Sequence, residues 1–125
     1  MIARLCLAGL LMVATPLAAQ SVKLNAHEIS ALLMNNTAVG VWEGAAYRQF
    51  FGADGSTIYA QAEAKSASGK WRINETRDEY QSIWPRDRDW QGWYVMEYAG
   101  DFFWVSKSTP PTPFRVVEGN QLVAK

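Results

Sequence analysis

The chain has 125 residues with 12 basic and 12 acidic side chains, so its formal net charge is zero. That length fits one domain, and the balanced charge steers it toward no polyanion such as nucleic acid. A single histidine, His27, and a single cysteine, Cys6, exclude any multi-histidine metal site and any disulfide within the chain.

The first residues carry one cation, Arg4, followed by an apolar run from Leu5 through Val13 and then Thr15, Pro16 and the small pair Ala18 and Ala19. This is the order of a cleavable secretory signal, so Met1 to Ala19 is expected to be removed, leaving a periplasmic or secreted protein. A membrane anchor needs roughly 20 unbroken apolar residues. Pro16 and Gln20 interrupt a shorter run here, so no membrane span is expected after cleavage. Cys6 lies near the start of the apolar run behind Leu5, not at its end behind a small residue, so it does not have the placement of a lipid-bearing cysteine. It leaves with the signal. The remaining single mainly-β domain, 20–125, therefore has no thiol for a disulfide, a nucleophile or a metal, and must be held by its core.

Leu24-Asn25-Ala26-His27-Glu28-Ile29 carries a helix start. Asn25 can cap, Glu28 can reach back to it, and Leu24 can staple onto Ile29. The spacing predicts a short helix to about Met34, with Ile29, Leu32 and Leu33 on one stripe, packed as a lid or plug. His27, in the first turn, reads as an exposed spacer.

From Ala38 the pattern alternates, and turn residues recur at the spacing of an antiparallel meander of about eight short strands, or a small barrel built from them. Ala38 to Glu43, Ala46 to Phe51 and Thr57 to Ala64 form the first three, with Gly52 to Ser56 as a hairpin turn. Lys70 to Asn74 places Trp71 and Ile73 on one face, and Glu79 to Trp84 follows. Pro85-Arg86-Asp87-Arg88-Asp89 is a charged loop. Gly92 to Tyr98 and Phe102 to Ser106 pair around Ala99-Gly100-Asp101, with Trp93 and Val95 facing one way and Tyr94, Met96 and Tyr98 the other. A proline-rich loop ending at Pro113 leads to Phe114–Val117, the turn Glu118-Gly119-Asn120 and Leu122-Val123.

In that order, Leu24 to Ile29 with Leu32-Leu33, Asn36-Thr37 and Gly40, Phe51 with Asp54-Gly55-Ser56, Gly69-Lys70-Trp71-Arg72-Ile73 and Trp84-Pro85 stand out together. With these motifs the chain resembles a group of small exported proteins of proteobacteria classed as a domain of unknown function. The resemblance implies export and a shared fold across most of the chain after residue 19, and it carries over no catalytic residue. Relatives of this kind carry a cysteine pair flanking the tryptophan-proline step. Here those stretches read Tyr80-Gln81-Ser82-Ile83 and Trp90-Gln91-Gly92-Trp93, so the bridge is absent.

Asp54-Gly55-Ser56 lacks the alternating oxygen ligands of a calcium loop, since Ile58 and Ala60 break the pattern. Asp87 and Asp89 alternate with Arg86 and Arg88, which neutralise them. All sixteen aromatic residues, six Trp, five Tyr and five Phe, lie between Trp42 and Phe114. Trp84, Trp90, Trp93 and Tyr94 surround the charged loop, and with Arg86, Asp87, Arg88 and Asp89 they form the candidate contact surface. The expectation is a non-catalytic exported module whose partner is an envelope small molecule, a glycan or a protein, with no cofactor and no metal. Two alternatives are an enzyme on envelope polymers that uses Asp87, Asp89, Glu97 or a tyrosine, and a structural subunit or inhibitor docking through the aromatic patch or a strand edge.

Overall fold

Successive turns reverse the chain, and the first and last of eight antiparallel strands pair with each other. The structure is a computed structural model that describes residues 20–123; the Met1 to Ala19 segment read as a signal lies outside the described residues. A two-residue strand β1 (Val22–Lys23) and helix α1 (Ala26–Leu33) precede the meander. Its strands are β2 (Asn36–Trp42), β3 (Ala45–Phe51), β4 (Ser56–Gln61), β5 (Ala67–Asn74), β6 (Glu79–Ile83), β7 (Gln91–Tyr98), β8 (Asp101–Val105) and β9 (Thr112–Glu118). Each pairs antiparallel with the next, and β9 returns onto β2 from Asn36↔Glu118 to Gly40↔Phe114, closing an eight-stranded barrel. Closure satisfies the backbone of every barrel strand on both sides and leaves little free edge.

Strand β7 shows how β1 fits. Its first half pairs with β6 through Ser82↔Gln91 and Tyr80↔Trp93, and where β6 ends, β1 continues that edge with Lys23↔Met96 and Val22↔Glu97. Such a short strand carries no readable period, and the sequence pattern did not indicate it. The expected strand limits shift elsewhere too: β9 takes in Thr112 and Pro113 from the expected loop and Glu118 from the expected turn. β2 starts at Asn36 because Asn35 adopts a φ of 64° directly after the helix and its N–H donates to the Phe51 carbonyl at 2.7 Å. β4 ends at Gln61, ahead of a turn in which Glu63 takes a φ of 61°, and β5 begins at Ala67.

Helix α1 closes one end of the barrel. The Asn25 side chain accepts from the Glu28 N–H at 2.8 Å while Glu28 Oε1 accepts from the Asn25 N–H at 2.9 Å, so both members of the capping box are made. The apolar stripe then points inward: Ile29 and Leu33 are fully buried with Leu24, and α1 packs against β2, β5 and β6. At the helix start, Asp78 in the β5–β6 turn accepts from the Ala26 N–H at 2.8 Å, which ties plug to barrel. His27 is exposed, as expected of a spacer.

Above the plug the interior is filled by rings. Phe51, fully buried, meets Trp71 and Tyr80 edge-on at centroid distances of 5.5 and 5.6 Å, and Trp104 stacks on Phe114 at 4.1 Å. Each such pair contributes about 0.5–1.5 kcal/mol beyond the area it buries. The Asp54-Gly55-Ser56 turn serves the same aromatic layer. Asp54 Oδ1 accepts from the N–H and hydroxyl of Ser56, and Trp71 donates through Nε1 to the Gly52 carbonyl at 2.8 Å. Those bonds to Ser56 hold the Asp54 carboxyl below its ordinary pKa, and the motif is spent on the turn.

Candidate functional site: the open mouth of the barrel

An eight-stranded barrel has an interior just wide enough to be filled by side chains or to hold one small ligand. This one does both, filled at the helix end and open at the other, where a cavity of about 340 Å³ lies among the upper residues of the strands. The strand alternation sets its lining. On β3, Tyr47, Gln49 and Phe51 share the inner face while Arg48 and Phe50 point out, and the register carries that parity to Tyr59 and Gln61 on β4 and Ala67 on β5.

Tyr80 and Trp104, 5.1 Å apart between ring centroids, form the floor together with Gln49. Tyr47 and Tyr59 stack at 5.1 Å and 16° to form one wall, and Gly40 makes this possible, because a Cβ there would lie 2.8 Å from the Tyr47 hydroxyl. At the rim, Trp42 and Trp93 meet edge-to-face at 6.0 Å, and Trp84 lies edge-on to Tyr59 at 6.4 Å. Gln61, Ser82 and Gln91 complete the lining, which carries no charged side chain.

Polar atoms in the floor are arranged with one donor or acceptor to spare. Thr57 Oγ1 donates its proton to the Phe50 carbonyl at 2.8 Å, so toward Gln49 it can only accept. Gln49 Nε2 therefore faces it at 3.0 Å and gives its second proton to the Tyr80 hydroxyl at 2.9 Å. This fixes the amide orientation. Gln49 Oε1 accepts no hydrogen bond from the described residues, although Gln49 is only 7% exposed. The Tyr47 hydroxyl accepts from Trp104 Nε1 at 3.1 Å and so keeps its own proton to donate. Burial pushes both phenols up to about 12, opposed for Tyr47 by the Trp104 bond and for Tyr80 by hydrogen bonds with Ser82 and Gln49.

The structure separates the residues that the sequence grouped around the charged loop. Trp84 and Trp93 enter the cavity lining. Tyr94 and Trp90 lie outside it. Tyr94 has the opposite parity to Val95 on β7 and is covered on the outer surface by Lys23, whose Nζ sits 4.3 Å from the ring centroid. Trp90 rests under the Arg72 guanidinium at 4.0 Å, and Arg72 Nε donates to Gln81 Oε1 at 2.7 Å, while Gln81 Nε2 donates to Glu79 Oε1, also at 2.7 Å. Arg86, Arg88 and Asp89 are exposed in the loop between them. Asp87 closes the Trp84-Pro85-Arg86-Asp87 turn twice, its N–H donating to the Trp84 carbonyl at 2.8 Å and its Oδ2 accepting from the Trp84 N–H at 3.1 Å. The loop thus straddles the barrel wall, with Trp84 inside and Trp90 outside.

Gly69 belongs to the same arrangement. It sits within β5, where an added Cβ would lie 2.6 Å from the Trp84 indole and 2.7 Å from the Ile83 carbonyl. Its bare backbone is the seat on which Trp84 rests. Glu97, at the closed end opposite Phe102, is remote from the mouth. Among the described residues no three His, Cys, Asp or Glu side chains come together as a metal site, and no described helix is long and apolar enough to cross a membrane.

Sequence reasoning missed the floor and the stacked wall of the site: Gln49, Tyr80, Trp104, Tyr47 and Tyr59. The signal was present for Gln49, whose parity matches Tyr47 and Phe51 within Ala45–Phe51. A glutamine between two inward rings is a polar group committed to an interior. Comparison with known proteins adds no label to this geometry: no family model, no curated protein and no solved structure matches the chain.

Proposed function

We propose that this chain is an exported, non-catalytic binding protein that takes one small uncharged molecule into the mouth of its barrel. The observation that carries the reading is the aromatic-walled cavity of about 340 Å³ with no charged side chain in its lining. Its size falls at the lower end of small-molecule sites, which span about 300–1,000 Å³ and are mostly apolar with a few placed polar groups. The lining offers no carboxylate, histidine or amine for proton transfer, and the two buried phenols, pushed up to about 12, hold their protons at neutral pH. An acyl chain of any length is disfavoured because the Phe51, Trp71 and Tyr80 layer and helix α1 seal the floor. Export belongs to the same proposal; it is supported by the Met1 to Ala19 pattern.

Trp42, Trp84, Trp93 and Trp104 line the cavity, so occupancy reports on itself through indole fluorescence. Titration with uncharged single- and double-ring compounds is expected to quench that emission saturably and to raise the melting temperature. Trp93→Ala is expected to weaken the effect by at least about tenfold, the range of an aromatic anchor in a pocket. A panel of such compounds that leaves both fluorescence and melting temperature unchanged refutes the reading.

A further inference from the structure

The unspent hydrogen-bonding groups of the floor say what kind of uncharged molecule the cavity takes. Gln49 Oε1 is a buried acceptor without a protein donor among the described residues, because Thr57 and the Tyr80 hydroxyl consume both amide protons. One strand position away on the same inner face, the Tyr47 hydroxyl has its lone pair engaged by Trp104 and its proton unassigned. A buried acceptor left unmatched costs about 1–3 kcal/mol, so a ligand that supplies the matching donor is favoured over one that does not. We propose that the ligand carries an uncharged secondary amide, whose N–H donates to Gln49 Oε1 and whose carbonyl accepts from the Tyr47 hydroxyl, with its ring against the Tyr47, Tyr59 and Trp93 walls.

The inference rests on the barrel-mouth reading and narrows it. A quaternary ammonium also suits aromatic walls, but it has no N–H for Gln49 Oε1 and turns the Tyr47 O–H dipole the wrong way. An anion meets no cationic side chain in the lining. The amide has two sources, a ring lactam, whose N–H and C=O lie cis, or an N-acylated sugar, whose N–H and C=O lie trans, and each carries one donor and one acceptor.

The test is a fluorescence titration of the protein, expressed from its full chain, with two matched series and two controls. The lactam series is 2-quinolinone, N-methyl-2-quinolinone and naphthalene. The sugar series is the methyl glycosides of N-acetylglucosamine and glucose. Choline and trimethylphenylammonium are the cationic controls. Expected is a preference of about tenfold or more for the N–H member of one series over its partners, the scale of one well-made hydrogen bond in a desolvated site. The favoured series identifies the source. In the Gln49→Met variant the preferred ligand is expected to lose that advantage over naphthalene, and saturable quenching by naphthalene shows that the cavity is still formed.

Equal affinity for 2-quinolinone, its N-methyl derivative and naphthalene, with no preference between the sugars, overturns the amide assignment and leaves the binding reading standing. So does an advantage that survives Gln49→Met, or a cationic control that binds tightest. Silence from every compound, naphthalene included, removes both. The wild-type comparisons decide the matter even where Gln49→Met fails to fold.

Discussion

Tyr47 and Tyr80 are neutral side chains whose proton affinity has been raised by their surroundings. Burial lifts each from the ordinary value of 10.0 to about 12, so the folded chain holds these protons more tightly than the unfolded chain does. The stability this contributes is fully present below pH 10 and is lost as pH climbs from 10 through about 12. Urea midpoints measured across that range are expected to fall steeply, in step with the appearance of tyrosinate absorbance. Tyr80→Phe should start from a lower midpoint, having lost its bond from Gln49, and fall less steeply. An unchanged slope in that variant assigns the alkaline loss elsewhere. Gln49 marks the limit of sequence reading at this scale: its parity was visible, but the unpaired oxygen follows from Thr57 being committed to the Phe50 carbonyl, a contact no pattern encodes.

Among the elements, the loop from Trp84 to Trp90 is the one whose function changes most between sequence and structure. As a run of alternating charges it reads as a carboxylate pair or a docking patch. In three dimensions Asp87 caps its own turn and holds Trp84 over Gly69. Asp87→Ala is therefore expected to loosen that turn by about 1 kcal/mol and to weaken ligand binding by roughly fivefold, with Asp87→Asn recovering most of it because the amide oxygen still accepts from the Trp84 N–H. Indole quenching measures both, and equal binding by the Ala variant and the parent would detach Asp87 from the site. The helix, its capping box and the hairpins were legible because each depends on residues three or four apart, or on a two-residue turn such as Ala99-Gly100, whose φ values are 51° and 88°. β1 and the placing of Tyr47 in the cavity wall were not, since each depends on a partner far away in sequence, β1 on β7 and Tyr47 on Trp104.

For the whole molecule the decisive property is closure of β9 onto β2. A meander fraying at an open edge would lose its outer strands first, whereas in this ring each strand lies between two neighbours and α1 fastens to β2, β5 and β6 together. Unfolding in denaturant is expected as one transition, with far-ultraviolet circular dichroism and tryptophan emission superimposing at every concentration. Separate midpoints would show that plug and barrel come apart independently. The closed end has another consequence through β1 and the segment after β9. β1 meets β7 beside the Tyr98–Asp101 turn, and β9 ends beside Asn36, where Thr37 donates to the Gly119 carbonyl. Val22 of β1 and Glu118 at the end of β9 thus both lie at the helix end, opposite the mouth. A bead or dye joined through the exposed Val22 would stand behind the cavity and leave its entrance clear, so the barrel can be immobilised in one orientation and still sample whatever diffuses past.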